Sequence, residues 1–149
     1  MEVQNDFKEL LELFNEHEVQ YLIVGGYALA YYGAPRYTGD IDVFIKPESS
    51  NALSVLKALD DFGFGSAGLK SDDFIKTDNI IQLGYPPVRI DIITSISGVL
   101  FDDAYKNREK GYYGDVPVFY ISRDDYIKNK KASGRKKDLA DLEMLGEDD

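Results

Sequence analysis

The stretch VGGYALAYYGAPRYTGDIDVFI, residues 24–45, decides the fold. The apolar run Tyr21–Val24 breaks at Gly25-Gly26, and a second apolar run, from Asp40 to Ile45, carries Asp40 and Asp42 on either side of one isoleucine. Side chains two apart on a strand point the same way. A strand over 40–45 therefore turns Ile41 and Val43 inward and sets both carboxylates on the opposite face. Carboxylates that close repel each other, and one stays protonated unless a cation lies between them. Magnesium resolves the conflict, since it prefers oxygen ligands and keeps positions for water and phosphate. The glycine pair has a matching use. Glycine lets backbone N–H groups approach a phosphate closely, and the short helix expected over Tyr27–Tyr32 presents its positive end to the same place.

Outward from this stretch, VRIDIITS (88–95) places a lone acid, Asp91, between Ile90 and Ile92. If that strand lies beside the first, Asp91 completes a three-carboxylate cage, which suits a two-metal centre for in-line displacement at phosphorus. A plainer reading makes Asp91 a satisfied strand acid paired with Arg89 or Arg36. Arg36 itself reads either as a fork for phosphate or as a brace for its loop, and Thr38 as a turn or strand-start residue.

The remaining elements follow from periodicity. Phe7, Leu10, Leu11 and Phe14 make one face of a helix over 5–17, with His17, the only histidine, as a surface cap residue near the helix's negative pole. Pro47–Ser50 opens a helix to about Phe62, with Leu53, Leu56 and Leu59 inward. Residues 63–78 read as loop with a helical turn at 72–76. Strands are expected over 80–83, 88–93 and 116–121, the last following a Gly-Tyr-Tyr-Gly-Asp turn, and a helix over 101–108. Ser122-Arg123-Asp124-Asp125 resembles a capping box that opens a helix to about Ala132. Gly134 interrupts, and a last helix runs over 136–145. Helices and strands mixed along one chain give an α/β (α+β) domain with a mixed sheet flanked by helices. A single domain over 1–149 is expected, with C-terminal helices from about 122.

The chain has 149 residues, enough for one core without staples. There is no cysteine, so disulfides, thiolate metal sites and a cysteine nucleophile are excluded. No run approaches the ~20 apolar residues of a membrane helix, and a cytoplasmic location is the default expectation. The net charge of −10 repels nucleic acid over most of the surface. The exception is KNKKASGRKK (128–137), which reads as a solvated helix and loop offset by the acids that follow, with Lys130 the one functional candidate. Asp138 and Asp141 read as salt-bridging helix charges. Tyr27, Tyr31 and Tyr32 lie near the glycine turn, where core packing and base stacking both explain them.

With Gly25-Gly26, the spacer 27–39, Asp40-Ile41-Asp42 and the distant Asp91, the chain resembles the polymerase-β-type nucleotidyltransferase superfamily. The form RYTGDID, residues 36–42, is similar to its small bacterial and archaeal members, the minimal nucleotidyltransferases and relatives of abortive-infection and toxin–antitoxin proteins. YIKNKKASGRKKDLADLEML, residues 126–145, resembles the end of the same group, with Lys130, Arg135, Asp138 and Asp141 on its motif positions, although Lys128 and Lys131 compete for the lysine role.

The resemblance implies a palm-like fold and a magnesium-dependent transfer of a nucleoside monophosphate from an NTP, ATP among the candidates, to an acceptor hydroxyl, with pyrophosphate released. Gly25, Gly26, Arg36, Thr38 and Lys130 would bind the nucleotide. Asp40, Asp42 and Asp91 would be catalytic and would hold the metal, two ions when nucleotide is bound. The acceptor, whether small molecule, RNA end or protein side chain, is left open, as is a partner protein or homo-oligomer. The competing functions are a non-catalytic nucleotide-binding module or toxin–antitoxin partner on the same palm, and an interaction domain whose acids serve solubility.

Overall fold

The apolar spacing at the N-terminus produces α1 (Asn5–Glu16), whose Phe7, Leu10, Leu11 and Phe14 are fully buried. Its C-terminal His17 lies 2.7 Å from the Asp61 carboxylate. In this computed structural model residues 3–34, 39–65, 67–85 and 88–146 are described. After α1 come β1 (Tyr21–Val24), α2 (Gly25–Tyr31), β2 (Asp40–Ile45) and α3 (Ser49–Leu59). A π-helical turn over Asp60–Phe64 and a 3-10 turn over Ser71–Phe74 lead to the hairpin of β3 (Ile80–Tyr85) and β4 (Val88–Ile93). The chain closes with α4 (Phe101–Lys106), the hairpin of β5 (Glu109–Tyr113) and β6 (Val116–Tyr120), then α5 (Arg123–Ser133) and α6 (Lys136–Met144).

The strands form one mixed sheet of six, in the order β3-β4-β2-β1-β6-β5. β2 runs antiparallel to β1 and parallel to β4, and β1 runs parallel to β6. The expected mixed sheet flanked by helices is thus the fold. Ile41 and Val43 pair in register with Ile90 and Ile92, and these four side chains are buried on the face opposite the acids. α1 contacts both α3 and β6.

Three local expectations are corrected. α2 begins at Gly25 itself, because a backbone φ of +67° at that residue turns the chain from strand into helix without a separate turn. On α3 Leu59 is inward as expected and Leu56 packs partly buried against the core, but Leu53 is 53% exposed, and the buried set is Asn51, Ala52, Val55, Ala58 and Leu59. A spacing of three drifts around a helix, whereas the 51/52, 55, 58/59 set keeps the 3.6-residue period. The five-residue turn expected at 111–115 is mostly strand: β5 continues through Tyr113, and only Gly114 and Asp115 turn.

Candidate active site

The acids reach one place through strand register. Asp42 on β2 is the partner of Asp91 on the parallel strand β4, and Asp40 is the partner of Arg89. Neighbouring strands lie about 4.8 Å apart, and register partners share a face, so Asp40, Asp42, Arg89 and Asp91 project together. The inward isoleucines and valine on either side fix that face: a slip by one residue would bury the carboxylates and expose the core. Val24, the last residue of β1, is the partner of Asp42 on its other side. This brings the start of α2 against the acids. A Cβ at Gly25 would run into the Asp42 carboxylate, so the glycine is required by space as well as by its φ.

Arg89 neutralises two of the three acids. Its Nε donates to Asp91 Oδ1 at 2.8 Å, and one terminal nitrogen donates to Asp91 Oδ2 at 3.1 Å and to Asp40 Oδ2 at 2.9 Å. Asp91 is buried, and Arg89 is one of the two partners the sequence offered for it. The three hydrogen bonds of Arg89 go to Asp91 and Asp40, while Asp42 acts on the guanidinium through its charge. Burial, then the neighbouring Asp91 charge, push the Asp42 carboxyl up to about 6; Lys130 pulls the other way, Asp40 adds to the rise and Lys137 opposes it. Among the described residues no three acidic, histidine or cysteine side chains stand ready as a metal cage. The span between Asp40 and Asp91 is taken by the guanidinium.

The facing wall is the α5–α6 elbow. Ser122 caps α5 by accepting from the Asp125 N–H at 3.1 Å, and Gly134 ends it in the left-handed region at φ +61°. Asn129 ties α5 to the loop after β4 by donating to the Ser97 carbonyl at 2.9 Å. Between the walls is a cavity of about 500 Å³, with Gly25 and Asp42 on one side and Asn129, Lys130, Ser133 and Arg135 on the other. Lys130 is buried and lines the cavity, whereas Lys128 and Lys131 are exposed and do not.

Asp138 holds the elbow. It is fully buried, accepts from Arg135 Nε at 2.9 Å and from the Ser133 hydroxyl, and lies 3.4 Å from Lys130 Nζ. Burial alone would push its carboxyl up; the Arg135 fork, the Ser133 hydroxyl and Lys130 together hold it well below the usual carboxylate range. Asp141 is buried as well. The salt-bridging expected of Asp138 is present, to Arg135 three residues earlier and to Lys130, but both acids face inward, and Leu142 beside them, also buried, marks the inward side of α6.

Of the expected site residues, Gly25, Asp42 and Lys130 line the cavity, and Asp40 and Asp91 stand beside Asp42 on the same face of β2 and β4. Gly26 sits in the first turn of α2 beside them. Arg36 and Thr38 lie outside the described residues. The nearby tyrosines are packing groups: Tyr27 meets Phe7 edge-on, Tyr31 stacks on Tyr120 with ring centres 4.0 Å apart, and Tyr32 donates to the Ile121 carbonyl at 2.6 Å.

Over residues 1–146 the sequence matches DUF6036, described as a nucleotidyltransferase of unknown function. The chain belongs to this family. Two solved structures similar to this DUF6036 chain share its fold. One is a candidate nucleotidyltransferase from Thermotoga maritima, 14% identical, with a TM-score of 0.63 over 92% of this chain and 88% of that one. The other is the lincosamide antibiotic adenylyltransferase LnuA in its lincomycin-bound form, 16% identical, with a TM-score of 0.56 over 98% of each chain. No curated protein matches the DUF6036 sequence significantly. Among the described residues no helix is long and apolar enough to cross a membrane.

Proposed function

We propose that the chain is a magnesium-dependent nucleotidyltransferase that moves a nucleoside monophosphate from an NTP to an acceptor hydroxyl. The observation that carries this reading is the register of Asp42 with Asp91, with the Asp42 carboxylate set directly against Gly25 in the lining of the cavity. The donor set suits a divalent cation. Asp40, Asp42 and Asp91 are all-oxygen donors on one face of two neighbouring strands, and the Asp42 carboxyl, raised by burial first and by Asp91 next, is one that a bound cation would help to ionise. Asp40, Asp42 and Asp91 would hold the metal, two ions with nucleotide present. When bound, magnesium neutralises charge at the phosphates and at the attacking oxygen.

The chain's own groups do the rest. The backbone at Gly25 and Gly26 admits the triphosphate close to the strand ends, and Lys130 faces it as a point charge. Arg36 and Thr38 are assigned to the same nucleotide. The acceptor oxygen bonds to the α-phosphorus, the bond to the bridging oxygen breaks, and pyrophosphate leaves. The proton of the hydroxyl passes to Asp91, for which Arg89 has to release one of its two oxygens. Catalysis is positioning and charge compensation.

The test is incubation with each α-labelled NTP, magnesium and candidate acceptors: small hydroxyl compounds, RNA ends and protein side chains. ATP is the first donor, since LnuA is an adenylyltransferase. Label should move to one acceptor class, and Asp42→Asn should lower the rate by about 10³-fold. A second reading, a nucleotide-binding module without transfer, is favoured by the guanidinium that already compensates Asp40 and Asp91. Metal-dependent nucleotide affinity with no transfer to any acceptor would decide for it.

A further inference from the structure

Arg89 stands two residues before Asp91 on β4 and in register with Asp40 on β2. From there one guanidinium reaches along its own strand to one acid and across to the other. Its three hydrogen bonds, of 2.8, 2.9 and 3.1 Å, take both oxygens of Asp91 and one of Asp40. These are the oxygens that the proposed reaction needs for a cation. Lys130, the buried positive charge of the site, is engaged by Asp138 on the far wall.

We propose that Arg89 is an internal stand-in for the metal: it holds Asp40 and Asp91 in place while the site is empty and is displaced when a divalent cation loads. This rests on the nucleotidyl-transfer reading and deepens it. Without Arg89, charged side chains in register across two neighbouring strands would repel one another at the centre of the sheet. With it, the strands stay aligned, but an incoming cation must displace at least one of its hydrogen bonds. Asp42, which Arg89 does not hold, is the open ligand at which the cation arrives. The exchange is unfavourable for a bare cation and favourable for a cation that arrives with a triphosphate, whose added negative charge draws the released guanidinium. Arg89 thereby makes cation loading conditional on nucleotide. It is a positioning residue, acting through Asp40 and Asp91.

The experiment measures Mn²⁺ affinity of the nucleotide-free protein by electron paramagnetic resonance, for wild type, Arg89→Gln and Arg89→Lys. Removing a competing cation couples to metal binding as any linked pair does. Arg89→Gln should bind Mn²⁺ about tenfold more tightly, and Arg89→Lys, which keeps the charge and loses the fork, should fall between. The metal-free Gln variant should melt below wild type, with a larger metal-induced rise in Tm. Equal or weaker Mn²⁺ binding by Arg89→Gln, or no binding by either protein, overturns the proposal and leaves the transfer reading, whose metal arrives with the nucleotide, standing.

Should Arg89→Gln fail to fold, the Arg89 Nε–H proton of the wild type serves instead, assigned by its loss in Arg89→Lys. It should exchange slowly in the metal-free protein and quickly once Mg²⁺ and α,β-methylene ATP are added. Slow exchange in both conditions overturns the proposal.

Discussion

Asp42 carries the electrostatic strain of the site. Its folded carboxyl is pushed up to about 6 from an ordinary 3.8, first by burial and then by Asp91. Between those values the folded chain binds the proton more tightly than the unfolded chain. The stabilising contribution is therefore full below pH 3.8 and is lost as pH rises through 6. Asparagine has the same shape and no charge. Asp42→Asn should thus stabilise the metal-free protein at pH 7.5 by about 1–3 kcal/mol, with the gain gone near pH 4, as urea unfolding at the two pH values would measure. Destabilisation at pH 7.5 would mean that the charge is already compensated. The acids are readable from sequence because a period of two, bounded by Ile41, Val43, Ile90 and Ile92, leaves them only one face. The attachment of Arg89 to both Asp91 and Asp40 is only half readable. Its i, i+2 partner is local, but the other stands 49 positions away, and only strand pairing brings it near.

At the scale of elements, the α5–α6 elbow sets where Lys130 stands. The cap at Ser122 and the stop at Gly134 are local chemistry, and residue type alone reveals them. The burial of Asp138 stays hidden, because an Arg-x-x-Asp spacing on a polar helix looks the same whether it faces solvent or a neighbouring helix. Asp138→Asn removes the charge that Lys130 and Arg135 share, and should destabilise the fold by about 2–4 kcal/mol at pH 7. The folded carboxyl lies below its unfolded value, so this stability is present above the unfolded value and lost as pH falls through the folded one. The gap between wild type and variant should therefore narrow on acidification, as urea unfolding at pH 7 and pH 3 would detect. A gap that widens would refute the assigned role. The expectations that failed on α3 and β5 failed for a related reason. Leu53 lost its inward place to Ala52 and Val55 because helix period outweighs hydrophobicity, and Tyr112-Tyr113 joined a hairpin because β6 offers them an edge.

At the scale of the whole molecule, strands are legible one by one while their order is not, since order depends on contacts between distant segments. The pairing of β2 with β4 is such a contact, and it joins the two halves of the sheet. It has a kinetic corollary. To close the sheet, the chain must bring two acidic side chains side by side across a long loop, so the contact that makes the site also opposes the folding step that creates it. Distant pairings of this kind slow a chain's search, and like charge adds to the barrier. Stopped-flow refolding at pH 7.5 should accordingly run faster in Asp42→Asn, by about threefold if half of the repulsion is already felt in the transition state. An unchanged refolding rate with slower unfolding would date the closure of this central seam to after the barrier.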